Sequence, residues 1–93
     1  MKIEVHHSLR DTLEDLKEHI DEIFGKNKTE MRLEDDLEYG FILVVRIKTP
    51  LPSLEATERL DILWDRLLDI KKFNELIEHN MIIDVWSRYK GGY

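Results

Sequence analysis

A chain of 93 residues has the length of one domain rather than two. Hydrophobic residues make up 42% and charged residues 37%, with only four glycines and two prolines, which excludes collagen and low-complexity disorder. The sequence has no cysteine, so disulfides, thiolate nucleophiles and cysteine-based zinc sites are excluded. We expect a single domain over residues 1–88, followed by a flexible tail over residues 89–93.

The net charge is −6, from 20 acidic and 14 basic residues. A negatively charged protein repels the phosphates of nucleic acids. The N-terminus has an acid at Glu4 and no apolar stretch of signal-peptide length. The longest apolar run, Phe41 to Val45, is five residues, against the roughly 20 that span a bilayer. We expect a soluble, cytoplasmic protein that binds neither membranes nor nucleic acids directly.

The first third of the chain predicts a strand and a helix. Apolar and polar residues alternate over residues 1–7, and this period of two is typical of a strand. Between Leu9 and Ile23 the apolar residues instead recur at intervals of four and three, which predicts an amphipathic helix. Gly25 is the residue expected to end that helix.

Residues 28–48 predict a hairpin with its turn at Asp35 and Asp36, since aspartate tolerates turn conformations. Its second strand has the strongest alternation in the chain and is expected to run from Leu37 to Lys48. One face of that strand is expected to face the core: Leu37, Tyr39, Phe41, Leu43, Val45 and Ile47.

Pro52 ends this strand, and a second amphipathic helix follows. A straight helix over residues 54–79 would be about 39 Å long. That is more than a short sheet requires, so we expect a break near Lys71 and Lys72. Residues 81–88 alternate again and predict the last strand.

The predicted order is therefore β-α-β-β-α-β. Its usual solution is the ferredoxin-like fold, an α+β arrangement in which a four-stranded antiparallel sheet carries both helices on one face. The other face of the sheet would then be uncovered, unless the C-terminal tail folds across it.

Apolar residues on this uncovered face predict an interface, because an apolar centre with a charged rim is typical of binding surfaces. The candidate partner-binding residues are Ile42, Val44, Ile82, Trp86, Arg46 and Arg88. The partner would be another protein or a second copy of this chain, and two-fold dimers are the commonest oligomers. The leading hypothesis is a small, non-enzymatic binding or regulatory module.

Part of the hairpin is similar to a known RNA-binding motif. Tyr39 to Ile42 resembles the aromatic-Gly-aromatic-aliphatic centre of the first ribonucleoprotein motif of RNA-recognition domains. The resemblance implies RNA stacking on the sheet. The surrounding residues depart from the motif, with Leu37 and Glu38 in place of a basic residue and glycine, and Glu4 in place of a stacking aromatic. Together with the negative charge, these departures predict that RNA is not the ligand.

Acidic residues recur at helical spacing and support an alternative hypothesis. They form an acidic ridge comprising Glu14, Glu18, Glu22, Glu58, Asp61, Asp65 and Asp69. Like charges four residues apart cost about 0.2–0.5 kcal/mol per pair, so helix stability does not require them. The ridge would suit an antagonist that mimics nucleic acid and binds a basic protein, or it is simply a solvated surface.

A weaker hypothesis is a metal site or general base at one end of the sheet. The candidate residues are His6, His7, His79, Asp35 and Asp36. Imidazoles with carboxylates bind zinc or act as general bases near neutral pH. Their spacing is not specific, and the sequence has no HExxH motif, glycine-rich phosphate loop or nucleophile elbow. The sequence therefore favours a protein without catalytic activity or a cofactor.

Overall fold

In the part of the chain that the structure describes, three helices and three strands follow one another in the order α-β-β-α-α-β. The computed structural model describes residues 2–38 and 40–90, with side chains for residues 10–38, 40–77 and 80–90. The elements are α1 (Lys2–Phe24), β1 (Lys28–Asp36), β2 (Gly40–Lys48), α2 (Ser53–Leu68), α3 (Lys71–His79) and β3 (Met81–Trp86).

The three strands form one mixed sheet in the order β1-β2-β3. β1 and β2 pair antiparallel as a hairpin, whereas β2 and β3 pair in parallel. Parallel neighbours need a long connection, which α2 and α3 supply here. The Leu43 amide donates to the Asn80 carbonyl at 2.6 Å and the Thr49 amide to that of Trp86 at 2.9 Å, so the pairing extends just past both ends of the ladder.

The helices pack on one face of the sheet and bury a single core. From β2, this core receives Leu43, Val45 and Ile47, each fully buried. The helices and β3 contribute Leu16, Ile20, Ile23, Phe24, Leu63, Leu67, Phe73 and Met81. Ion pairs join the helices outside the core, with Arg66 on α2 lying 2.6 Å from Glu22 on α1 and Lys72 pairing with Asp15.

The predicted ferredoxin-like fold is wrong, although the α+β class holds. Residues 2–7 belong to α1 and not to a strand, so the sheet has three strands in the described chain instead of four. The physical reason lies in the spacing of apolar residues. Val5, Leu9 and Leu13 lie four residues apart, so the helical spacing of α1 extends back to Val5. One long amphipathic helix therefore forms in place of the predicted short strand. Without a first strand beside it, β3 pairs with β2 and runs parallel to it.

Other local predictions are confirmed. Gly25 ends α1 with a positive φ of 69°, and the break between α2 and α3 falls just before Lys71. The hairpin forms, but its turn lies later than predicted. β1 continues through Asp36, and β2 begins at Gly40, whose φ of 86° favours glycine. The last strand ends at Trp86, two residues before the predicted end.

The segment after β3 follows the connection between β2 and α2. Arg88 donates its amide to the Leu51 carbonyl at 2.9 Å, and Tyr89 donates its own to the Thr49 carbonyl at 2.8 Å. Residues 91–93 lie outside the described residues, so flexibility of the tail stays a prediction. None of the helices described has the length and apolar character needed to cross a bilayer.

A polar cluster holds the end of α1 against the start of β1. Lys17 Nζ lies 2.6 Å from Asp21 Oδ1. Asn27 donates from Nδ2 to Asp21 Oδ1 at 2.9 Å and to the Gly25 carbonyl at 2.7 Å. Thr29 donates its hydroxyl to Asn27 Oδ1 at 2.6 Å. The cluster therefore fixes the direction in which the chain leaves the helix.

This cluster makes the stability of the fold depend on pH. Burial raises the pKa of Asp21, but the hydrogen bonds from Lys17 and Asn27 and the charge of Lys17 lower it more, so the folded pKa lies below 3.8. We expect Asp21→Asn to lower the free energy of unfolding by about 0.5 kcal/mol near pH 7. Because the folded pKa is depressed, the difference is present above pH 3.8 and disappears as the pH falls through the folded value. Urea unfolding over this pH range measures it, and a pH-independent difference would contradict the assignment.

Candidate functional site

The sheet face opposite the helices is the largest surface on which apolar and charged residues from all three strands meet. The ladder pairings place Val44 beside Ile82, Arg46 beside Asp84 and Lys48 beside Trp86. We call this surface the open face, and it comprises Lys28, Glu30, Arg32, Glu34, Asp36, Gly40, Ile42, Val44, Arg46, Lys48, Ile82, Asp84 and Trp86.

One half of the open face is apolar. Ile42 and Val44 are half-buried at the centre of the sheet, and Ile82 beside them is 52% exposed. Trp86 lies four residues further along β3, in the other half of this face, and is 44% exposed. The structure therefore brings the four apolar residues of the predicted interface to one face of the sheet.

The other half of the open face is organised around the indole ring of Trp86. The guanidinium carbon of Arg46 lies 4.5 Å from the ring centroid, and Lys48 Nζ lies 5.1 Å from it. Trp86 donates its indole N–H to Asp84 Oδ2 at 2.9 Å. Lys48 also lies 5.2 Å from the ring of Tyr89. We call these five residues the Trp86 cluster, in which two positive charges make cation–π contacts with the ring.

Arg46 has an unused hydrogen-bond donor in this cluster. Its Nε is buried and has no hydrogen-bond partner among the described residues. The nearest carboxylate, Asp84 Oδ2, is 3.6 Å away, beyond hydrogen-bond length, and already accepts from Trp86. An unsatisfied buried donor costs about 1–3 kcal/mol, so a small shift that brings an acceptor to Arg46 would be favourable.

The charge of the open face differs from that of the whole molecule. Lys28, Arg32, Arg46 and Lys48 are cationic, against Glu30, Glu34, Asp36 and Asp84, on a chain whose net charge is −6. Three ion pairs lie on this face: Arg32 with Glu34 at 3.0 Å, Lys48 with Glu30 at 3.3 Å and Arg46 with Asp84. This face therefore carries no net charge of its own, and the acidic excess lies elsewhere in the molecule.

Positive charge continues beyond the strand ends. Lys28 is the ladder partner of Lys48 on the neighbouring strand, at the level of Trp86. Arg88 and Lys90 follow β3 directly and are exposed, with Arg88 in a turn at φ 55°. Lys28 and Lys48 therefore place positive charge at the Trp86 end of the open face.

The structure leaves the acidic ridge on the helix surfaces, divided between α1 and α2. All of its members are exposed: Glu14, Glu18, Glu22, Glu58, Asp61, Asp65 and Asp69. Glu22 forms an ion pair with Arg66. The four acidic residues on or just after α2 have no ion-pair partner among the described cations. Exposed apolar side chains lie on the same helix, namely Leu54, Ile62 and Leu68.

The predicted metal candidates are not brought together by the described side chains. His6 and His7 lie on α1 and His79 ends α3, but their side chains are outside the described residues. Asp36 accepts a hydrogen bond from the Glu38 amide at 3.1 Å and so shapes the hairpin turn. Among the described residues, no group of three or more histidines or acids is arranged to hold a metal ion. The predicted site required residues 6 and 7 to lie at the end of a strand, but they belong to α1.

Sequence reasoning missed Lys48, Asp84 and Tyr89 as members of the site. Alternation placed Lys48 and Asp84 on the correct face, but their contacts with Trp86 follow from the parallel pairing of β2 with β3. The arrangement offers binding chemistry: an apolar surface, an oriented indole ring and adjacent positive charges. Comparisons with protein-family models, with curated proteins and with solved structures found no match to this chain.

Proposed function

We propose that this protein is a small protein-binding module whose open face docks a segment of a partner that carries both apolar and acidic side chains. The observation that carries the proposal is the Trp86 cluster: a half-exposed tryptophan, oriented by Arg46, Lys48 and Asp84, on the same face as the exposed Ile82. Tryptophan and arginine are the residue types most enriched among the anchors of protein interfaces.

The contacts around Trp86 lower the cost of binding. A free side chain loses about 0.5–1.5 kcal/mol of entropy when an interface orders it. The hydrogen bond to Asp84 and the two cations hold the Trp86 ring before any partner arrives. A partner therefore meets a surface that is already ordered, and the apolar contact with Ile82 and Val44 adds to its affinity.

The charges favour an acidic partner segment. Lys28 lies at the Trp86 end of the open face, and the exposed Arg88 and Lys90 follow β3 in the chain. None of the three pairs with an anion in the described chain. Opposing this, the chain as a whole is negative. Salt limits that repulsion, since fields decay over about 8 Å at physiological ionic strength and the molecule is 22 Å across its thinnest direction. The nearby cations therefore dominate at the Trp86 end of the open face.

Selection from a displayed library of random twelve-residue peptides on the immobilised protein tests the proposal. We expect enriched peptides to combine Asp or Glu with Leu, Ile or aromatic residues. Trp86→Asp should weaken their binding at least about thirtyfold, the effect of losing an anchor worth 2 kcal/mol. Ile82→Asp, at a site 52% exposed, should weaken it as well without disturbing the core.

Ile62→Asp is the matched control, because Ile62 is 48% exposed on α2 and lies away from the sheet. It should leave peptide binding unchanged, and circular dichroism should show all three variants folded. Peptides that bind Trp86→Asp as tightly as the wild type would overturn the proposal. A library without any enriched peptide would count against it equally. Self-association that Trp86→Asp removes would instead identify a second copy as the occupant.

The acidic ridge supports a second candidate function, the docking of a basic protein surface on α2. Glu58, Asp61 and Asp65 are exposed without a described partner, and Ile62 lies among them. In the same selection this candidate predicts peptides rich in Lys and Arg. They would bind Trp86→Asp normally, and their affinity would fall steeply with salt because exposed charges are screened.

A further inference from the structure

We propose that two copies of this protein join edge to edge through β1, forming one continuous six-stranded sheet around a two-fold axis at Met31. This inference is separate from the proposed function, because it uses the β1 edge, whose charged side chains line the margin of the open face, and not the Trp86 cluster. It commits to a second copy of this chain as the occupant of the β1 edge. The argument rests on the direction of the backbone groups and on the order of charges along the strand.

β1 is an edge strand whose outer backbone groups can be identified. The Leu43 and Thr49 amides donate to β3 and the residue before it, so odd-numbered residues of β2 direct their backbone groups to β3 and even-numbered ones to β1. The ladder pairs Val44 with Arg32, so even-numbered residues of β1 face β2. The backbone groups of Met31 and its odd-numbered neighbours therefore point outward. These outward-facing residues are Thr29, Met31, Leu33 and Asp35.

The β1 edge is long and uninterrupted. It is nine residues long, contains no proline and has no partner strand among the described residues. Natural proteins commonly shorten such an edge, or blunt it with proline, because its free amide and carbonyl groups template pairing with another chain. An antiparallel second copy of β1 would satisfy the outward groups with a regular ladder.

The charges of β1 select the register. An axis at Met31 places Lys28 of each copy opposite Glu34 of the other, and Glu30 opposite Arg32. All four charges then meet an opposite charge. An axis at Glu30 would oppose Glu30 to itself and Lys28 to Arg32, and an axis at Arg32 would oppose Arg32 to itself. Opposite charges across a strand pair stabilise it by about 0.2–1 kcal/mol each, and like charges destabilise it.

The helix-facing side of β1 fits the same pairing. Leu33 is 42% exposed at this edge, and the axis at Met31 brings it beside Thr29 of the other copy. Met31 would meet its own counterpart. A groove of about 440 Å³ lies between α1 and β1 at this edge, lined by Leu13, Thr29 and Met31 together with charged residues of α1. A second copy would cover this groove and remove apolar surface from water.

Charge-swapped variants test the proposal in sedimentation experiments over a range of concentrations. Wild type should dimerise, and Arg32→Glu and Glu30→Arg should each weaken the dimer at least tenfold, because each places like charges opposite one another twice. An equimolar mixture of the two variants should dimerise again. In the mixed dimer, one copy carries acids at both positions 30 and 32, and these face bases at both positions in the other copy. Rescue by mixing cannot come from variants that fail to fold.

Trp86→Asp is the control that separates this proposal from the proposed function. It should leave the dimer unchanged while it removes peptide binding. A wild type that remains monomeric up to about 1 mM would overturn the inference. Its dissociation constant would then exceed about 1 mM, which corresponds to less than about 4 kcal/mol of binding free energy. A dimer that survives both single charge reversals, or a mixture that fails to restore it, would overturn it as well.

Discussion

Replacing Phe73 by alanine is expected to lower the free energy of unfolding by about 3–5 kcal/mol. Phe73 is fully buried on α3, and its ring meets that of His19 on α1 edge-on, with the centroids 5.8 Å apart. Helices as short as α3, with nine residues, are not stable by themselves in water. The ring therefore anchors α3 to α1, and its removal leaves a cavity that the short helix cannot fill.

Urea unfolding followed by circular dichroism measures this loss. The matched control is Leu68→Ala, because Leu68 lies one turn before α3 and is 46% exposed. It should change the stability by less than about 0.5 kcal/mol. Natural domains of this size have only about 5–15 kcal/mol in total, so Phe73→Ala should come close to unfolding the chain. Equal effects from the two substitutions would show that α3 is not packed on α1 as described.

A disulfide between Val44→Cys and Ile82→Cys is expected to form on oxidation and to raise the free energy of unfolding by up to about 4 kcal/mol. The two residues are ladder partners on adjacent parallel strands. Bridged cysteines need Cα atoms within about 7 Å, which neighbouring strands provide. The natural chain has no cysteine, so no competing bridge exists. A gel-mobility shift and thiol titration detect the bridge, and urea unfolding measures its effect.

The matched control for this bridge is Arg32→Cys with Ile82→Cys. Arg32 lies at the same level of the sheet, but β2 separates it from Ile82, so the Cα atoms are about 9–10 Å apart. This pair should not cross-link within one molecule. In a ferredoxin-like sheet, the last strand would not neighbour residues 40–48, so efficient formation of the first bridge also distinguishes the two topologies. Failure of the Val44 and Ile82 pair to cross-link would contradict the parallel pairing.

The elements that the sequence predicts correctly are those with local causes. The intervals between Leu13 and Ile23 define α1 over its second half, and Gly25 ends it. Alternation along residues 40–48 separates the buried side of β2 from its open side. The beginning of α1 is different, because Ile3 and Val5 fit a period of two and Val5 with Leu9 fits a helical period. The helical period prevails because it continues through the rest of α1, whereas the period of two ends after a few residues.

The candidate site is predictable to the same extent. Alternation alone places Ile42, Val44, Ile82 and Trp86 on the side away from the core, whatever the order of the strands. The contacts of Trp86 with Lys48 depend on which strand lies beside β3 and in which register. That neighbour is distant in sequence, so short-range spacing does not indicate it.

During synthesis on the ribosome, one side of β2 stays unpaired until β3 has been made. β1 and β2 are joined by a short turn, so the hairpin forms within about microseconds of emerging. β3 follows only after α2 and α3, which takes seconds at about 5–20 residues per second. During that interval the backbone groups of Leu43, Val45 and Ile47 that face β3 are exposed on an apolar strand. A chain that stops before Met81 would keep this unpaired edge permanently, and chaperones would meet it as an aggregation-prone species.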